Sequence, residues 1–179
     1  ALLLPEGEKR QALLSAMESA PRNDLVLAEA LQRSPSVIGV SLDEEGPDPG
    51  VGDRSLATRA FAEPKTGFAF AGDDPRLFLP AFESATPPLA VLSSAAAGLG
   101  ALNWLPDRDR VVRKVPLLFQ LKDGTFVPGL AAETLRVAQG ANTILIRASN
   151  ASGENAFGAQ TGVNMVRVGA VDVPTTADG

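Results

Sequence analysis

The sequence contains no histidine, no cysteine and no tyrosine. Without histidine there is no imidazole general base, no Ser-His-Asp triad and no His-ligated metal. Without cysteine there is no thiol nucleophile, no disulfide, no Cys-type zinc site and no iron–sulfur cluster. A thiol-free chain suits oxidising and reducing compartments alike, so cysteine usage leaves the compartment open. Carboxylates, lysine, arginine and hydroxyls are what remains for chemistry. Basic charge is also scarce. Lys and Arg number 16 against 21 Asp and Glu, for a net charge of −5, and they form no stripe. A nucleic-acid partner is therefore not expected.

Long apolar runs are missing too. Leu2–Leu4 is too short for the core of a signal peptide. Ser84–Pro106 carries no charge and is long enough to cross a bilayer. It holds Pro87, Pro88, Ser93, Ser94 and Asn103, and much of the rest is Ala and Gly, which contribute little transfer energy. A buried helix followed by a buried strand is the better reading. Gly98-Leu99-Gly100 runs on into strand-like residues, whereas a dinucleotide fingerprint opens a helix. These are read as cap and turn glycines, and no cofactor is expected. The acidic stretch Asp43–Asp53 lacks the ligand spacing of a calcium loop and reads as a solvated loop.

What is present is ordinary for a globular domain. The 179 residues are 45% apolar and 21% charged, enough for one domain over residues 1–179. The apolar pattern predicts helices over Glu8–Ala20, from an Asn23 N-cap to Ser34, from a Thr86 N-cap to a Gly98 cap, and over Pro128–Gln139. In the last, Leu130, Ala131, Thr134, Leu135 and Ala138 are placed inward, with Gly140 as cap. Strands are predicted at Val37–Leu42, Phe68–Phe70, Leu99–Leu105, Val111–Leu121, Asn142–Ala148, Val163–Val168 and Val171–Val173. Pro116 implies an edge or a bulge. Asp123-Gly124 reads as a type I′ hairpin turn. Hairpins and helical crossovers alternate, so the fold class is α/β (α+β), a mixed β-sheet flanked by helices. Both ends read as cuts in a longer protein, with Leu2–Pro5 as the tail of an earlier strand.

One dense polar constellation stands out: Asn103, Asp107, Asp109, Arg110, Arg113 and Lys114. Two aspartates two apart in a turn are poor candidates for a glycosidase pair, which needs carboxyls flanking a sugar. Asp107 is read as closing the turn through backbone N–H groups. Arg113 is read as pairing with Asp107 or Asp109, with contact to an anionic ligand as the alternative.

The same residues carry a resemblance. Gly100 to Leu117, with Asn103, Pro106-Asp107-Arg108-Asp109, Arg113-Lys114 and Pro116-Leu117, resembles the CHASE2 sensor domain. The family pattern is a glycine, an aromatic or apolar residue and Asn, then Pro-Asp-x-Asp-Gly, then apolar-Arg-Arg-apolar-Pro-Leu. The helix start Pro128–Glu133 and the helix-strand Asp24–Val40 also fit, as does Val173–Gly179. Arg110 departs from the pattern, standing where the family has glycine, and the family's first strand–helix unit is absent before Ala1.

The resemblance implies an extracytoplasmic sensor, periplasmic or extracellular. It would be tethered to the membrane in a bacterial receptor whose cytoplasmic output is a cyclase or a kinase. The implied role is non-enzymatic, with a small-molecule or protein stimulus and a homodimer as partner state. Asn103, Asp107, Asp109, Arg113 and Pro116 are the implied ligand-binding or motif residues, with no catalytic or metal residue among them. Two other readings stand beside it. A carboxylate-based hydrolase needs two or more carboxylates within reach of one metal ion. A dimerisation or interaction scaffold predicts a flat apolar face beside Asn103 and Arg113 rather than a pocket.

Overall fold

A computed structural model describes residues 7, 10–11, 14–15, 22–44, 65–152 and 161–179. The expected helix Glu8–Ala20 and the loop Asp43–Asp53 lie largely outside the described residues, as does Leu2–Pro5. The described elements run in the order α1 (Asn23–Gln32), β1 (Val37–Asp43), β2 (Gly67–Ala71), a 3-10 turn (Pro75–Leu77), β3 (Ala81–Phe82) and β4 (Ser84–Thr86). There follow α2 (Ala90–Ala95), β5 (Gly98–Ala101), β6 (Leu118–Leu121), β7 (Phe126–Pro128), α3 (Leu130–Ala138), β8 (Thr143–Ala148), β9 (Val163–Val168) and β10 (Val171–Pro174). The mixed α/β class holds, with the strands divided among three sheets, β4-β1-β5, β3-β6-β7 and β10-β9-β8-β2.

The first two sheets close into a small ring. β1 runs parallel to β5, and the end of β5 bridges Gly129 just beyond β7. β7 is antiparallel to β6, and β6 is parallel to β3. The chain passes from β3 through Glu83 into β4, which links β6 to β1. Glu83 N–H donates to the Asp43 carbonyl (3.0 Å), and β4 pairs antiparallel with β1. Alternation with period 2 points one set of side chains inward. Val40 and Leu42, Leu99 and Ala101, Phe119 and Leu121, Val127, Phe82 and Ala85 fill the ring as one core. Phe82 and Phe119 meet there edge to face, 5.7 Å apart.

A second core lies on the other side of β6. Leu118 leaves the ring and joins Ile144 and Ile146 of β8, Val163, Val166 and Val168 of β9, and Ala132 of α3. β8 pairs parallel with β2 and antiparallel with β9. Alternating β-branched residues along β8 and β9 account for this face directly. α3 ends as its sequence requires. Gly140 takes φ +63°, Gly140 N–H donates to Val137 and Ala141 N–H to Arg136, which satisfies the last carbonyls in a Schellman arrangement.

Several local expectations are corrected. α1 is N-capped by Arg22 and not Asn23, with no side-chain cap bond. Thr86 belongs to β4, where its hydroxyl donates to Asp43 Oδ2 (2.8 Å), and α2 starts only at Ala90. Gly98 is no helix cap but the first residue of β5. The hairpin at Asp123-Gly124 has positive φ at Gly124 alone, with Gly124 N–H donating to the Leu121 carbonyl and Leu121 N–H to the Thr125 carbonyl. It is a three-residue loop with glycine in the left-handed region, because a type I′ turn needs positive φ at both central residues. β5 stops at Ala101, and of Val111–Leu121 only Leu118–Leu121 is strand. Val111–Val115 has the composition of a strand but pairs with no strand among the described residues.

Candidate functional site

The region Leu102–Leu117 leaves the ring at the end of β5 and returns to it at β6 as an arm without sheet pairing. Both roots are fixed. At the outgoing root the Asn103 side-chain amide mimics a strand residue. Its Nδ2 donates to the Leu42 carbonyl (2.7 Å), and its Oδ1 accepts from Leu42 N–H (2.7 Å). Asn103 therefore extends the pairing of β1 past the point where β5 ends. At the returning root Pro116 is buried. Its carbonyl lies 2.6 Å from where a Cβ on Gly129 would stand, and Gly129 N–H donates to the Leu117 carbonyl (2.7 Å). Only glycine admits that approach.

The tip is a tight hairpin. Asp107 N–H donates to the Val111 carbonyl (3.1 Å) and Arg110 N–H to the Asp107 carbonyl (2.8 Å), while Asp109 Oδ1 accepts from Val111 N–H (3.2 Å). The pattern repeats that of Leu121–Thr125, where Asp123 Oδ1 accepts from Thr125 N–H (2.9 Å). Arg110 occupies the position that Gly124 holds in the second hairpin, and it does so at φ +63°. The turn that glycine would make is kept with an arginine in it, at a conformational cost.

Arg113 clasps the tip. Its Nη1 donates to Asp107 Oδ2 (2.8 Å) and Asp109 Oδ1 (3.0 Å), and its Nη2 donates to Asp109 Oδ2 (2.7 Å). The expected ion pair thus forms with both aspartates at once. The Arg113 hydrogen bond, and then that of the Val111 N–H, hold the Asp109 carboxyl below the usual carboxylate range. All three side chains are about half exposed, so water screens the pairing. The carboxylates converge on a guanidinium and leave no open pair for a metal. Among the described residues no group of three or more acidic side chains stands where it could hold an ion. Around the clasp the arm exposes Leu102, Trp104, Leu105, Val111, Val112 and Val115, with Trp104 at 64% the most open.

A second polar cluster lies in the interior, and it escaped the reading from sequence. Helix α3 does not bury Leu130, Ala131, Thr134 and Ala138. Its buried face is Ala132, Glu133 and Arg136. Arg136 donates through Nε to Glu133 Oε2 (2.8 Å) and through Nη2 to Glu133 Oε1 (2.7 Å), and Thr66 Oγ1 donates to Glu133 Oε2 (2.7 Å). Arg136 also reaches the Ala97 carbonyl (3.1 Å) and the Ala141 carbonyl (2.7 Å). Lys65 donates to the Ser94 carbonyl (3.0 Å) and to that of Ala96 at the end of α2. Burial lowers the Lys65 pKa, and the charge of Glu133 offsets part of that shift. No described buried side-chain polar atom lacks a partner.

Gly98 and Gly100 make this cluster possible. A Cβ on Gly98 would stand 2.3 Å from Glu133 Oε1, and one on Gly100 would stand 2.7 Å from the Leu130 Cα. The signal was present in the sequence: two glycines on alternate positions of a strand mark a close backbone approach, and Glu133 and Arg136 are spaced to share a helix face.

The CHASE2 domain family model matches residues 3–179. The chain belongs to the CHASE2 family. No curated protein and no solved structure gave a match. CHASE2 domains are extracytoplasmic sensor domains of bacterial transmembrane receptors rather than catalytic units. Among the described residues no helix is long and apolar enough to cross a membrane. Ser84–Pro106 divides into β4, the six-residue α2 and β5.

Proposed function

We propose that this chain receives the stimulus for a bacterial receptor, outside the cytoplasm, and passes it to a cytoplasmic cyclase or kinase output. The observation that carries the reading is the CHASE2 match over almost the whole chain. Transmission follows from a population shift: a stimulus that binds one arrangement of the domain better than another biases the receptor toward it. The arm from Asn103 to Pro116 is the segment that receives the stimulus. It stands clear of both cores, and its roots at Leu42 and Gly129 join it to the closed ring. Arg113 is the group that an anionic portion of a small molecule or partner protein would address, in competition with Asp107 and Asp109.

A thermal-shift screen of the purified chain tests this. A stimulus molecule raises the unfolding midpoint in proportion to the logarithm of its concentration, and Arg113→Ala removes that rise. Absence of stabilisation by any compound of a broad panel counts against small-molecule sensing. The apolar side chains exposed around the clasp favour a second reading for the same arm, as an interaction surface.

A further inference from the structure

The arm differs from the rest of the chain in two ways at once. Between Leu102 and Val115 it carries four basic residues against two acidic ones, in a chain whose net charge is −5. Arg113 engages both acids, which leaves Arg108, Arg110 and Lys114 as exposed charges, with Asp178 of the body near enough to Lys114 to feel its charge. The same segment exposes Trp104 and Val115 at 64% and 58%. Exposed tryptophan and branched aliphatic residues mixed with arginine and lysine are the composition that settles at a bilayer interface. There the rings and aliphatic groups enter the headgroup boundary, and the long basic stems keep their charge among the phosphates.

We infer that the Leu102–Val115 arm docks on an anionic lipid surface. Charge chooses this occupant over the same arm of a second copy. Two arms brought face to face would each present an excess of positive charge. An anionic bilayer attracts the arm and repels the acidic body, and so it also sets the orientation of the domain. The arm is held in shape for this by the Asn103 amide, the buried Pro116 and the Arg113 clasp, so little ordering is lost on contact. The inference deepens the reading of this arm as the receiving segment.

Trp104 is the single tryptophan in a chain without tyrosine, so its emission reports on the arm directly. The chain is titrated with phosphatidylcholine vesicles with and without phosphatidylglycerol. The expected result is a blue shift and protection from acrylamide on the anionic vesicles only, reversed at about 0.5 M salt. Arg108→Glu combined with Lys114→Glu, two exposed positions outside the clasp, weakens that binding at least about tenfold while the unfolding midpoint confirms the fold. Unchanged emission with anionic vesicles overturns the inference, and so does an equal shift on phosphatidylcholine alone. A shift that follows protein concentration without vesicles assigns the face to a second copy and overturns it as well. Ligand-induced stabilisation measured without vesicles tests the sensing function separately.

Discussion

The molecule holds two clusters in which one arginine grips carboxylates no more than six residues away in sequence. Arg113 grips Asp107 and Asp109, and Arg136 grips Glu133. The chemistry and the distances are nearly the same, but the surroundings are opposite. The Arg113 clasp is half exposed, whereas Glu133 is fully buried and Arg136 nearly so. In water a guanidinium–carboxylate pair competes with solvent at every atom. In the interior water does not replace a lost counter-ion, so removal of one partner strands the charge of the other. The exposed cluster shapes a turn, and the buried cluster ties α3, the end of α2 and the start of β2 together.

Removal of one buried partner breaks the comparison most severely. Glu133→Ala leaves the Arg136 charge without its counter-ion and is expected to cost about 3–5 kcal/mol, read by chemical denaturation. Replacing both at once, Glu133→Leu with Arg136→Met, is expected to recover most of that loss. If the double variant is as unstable as the single one, the cluster contributes more than charge compensation. Next in size is Gly100→Ala. Its Cβ would meet the Leu130 backbone, so α3 must move off β5, at a cost of about 1–3 kcal/mol. A thermal melt of this variant tests whether the glycines set the height of α3.

The arm should respond in the opposite direction and more weakly. Arg110→Gly relieves a left-handed residue and is expected to stabilise the chain by up to about 1 kcal/mol, visible as a higher unfolding midpoint. A lower midpoint would mean that the Arg110 side chain contributes more than its backbone strain removes. The smallest effect is expected for Arg113→Ala near neutral pH. Its signature lies in acid instead. The folded-state pKa of Asp109 is depressed, chiefly by Arg113. The pairing therefore adds stability above the ordinary carboxylate range, and that stability is lost as pH falls through the lower, folded-state value. In an NMR titration Asp109 should move back toward the ordinary range in Arg113→Ala, and the two proteins should converge in stability at low pH.

The two clusters also differ in how far they could be read without coordinates. The tip was legible because its contacts are local. Asp107, Asp109 and Arg113 lie within one hairpin, and a turn with charged flanks predicts their pairing. Asn103 was recognisable as a motif residue, but its bonds to Leu42 span the ring and depend on where β5 ends. Pro116 marked a break in pairing, while the reason for its burial lies at Gly129, in a different strand end. The buried cluster was hidden by an ambiguous pattern. Helix α3 is rich in Ala, Leu and Thr, so its apolar residues fit more than one face. What it packs against decided the matter: two glycines on β5 leave a slot that a carboxylate enters.

By itself, the sequence determined the elements whose causes are local. β-branched alternation made β8 and β9, Gly140 ended α3, and the Asn103–Leu117 motif marked the family. Those depend on neighbours a few residues apart, which no tertiary context has to supply. The closure of β1, β5, β7, β6 and β3/β4 into a ring, the division into two cores along β6, and the choice of the Glu133 face for burial were decided only in three dimensions. The arm is the clearest case. Val111, Val112 and Val115 favour a strand, yet a strand needs a partner to receive its hydrogen bonds. The described residues offer none there, so strand-forming residues stand exposed beside a basic hairpin.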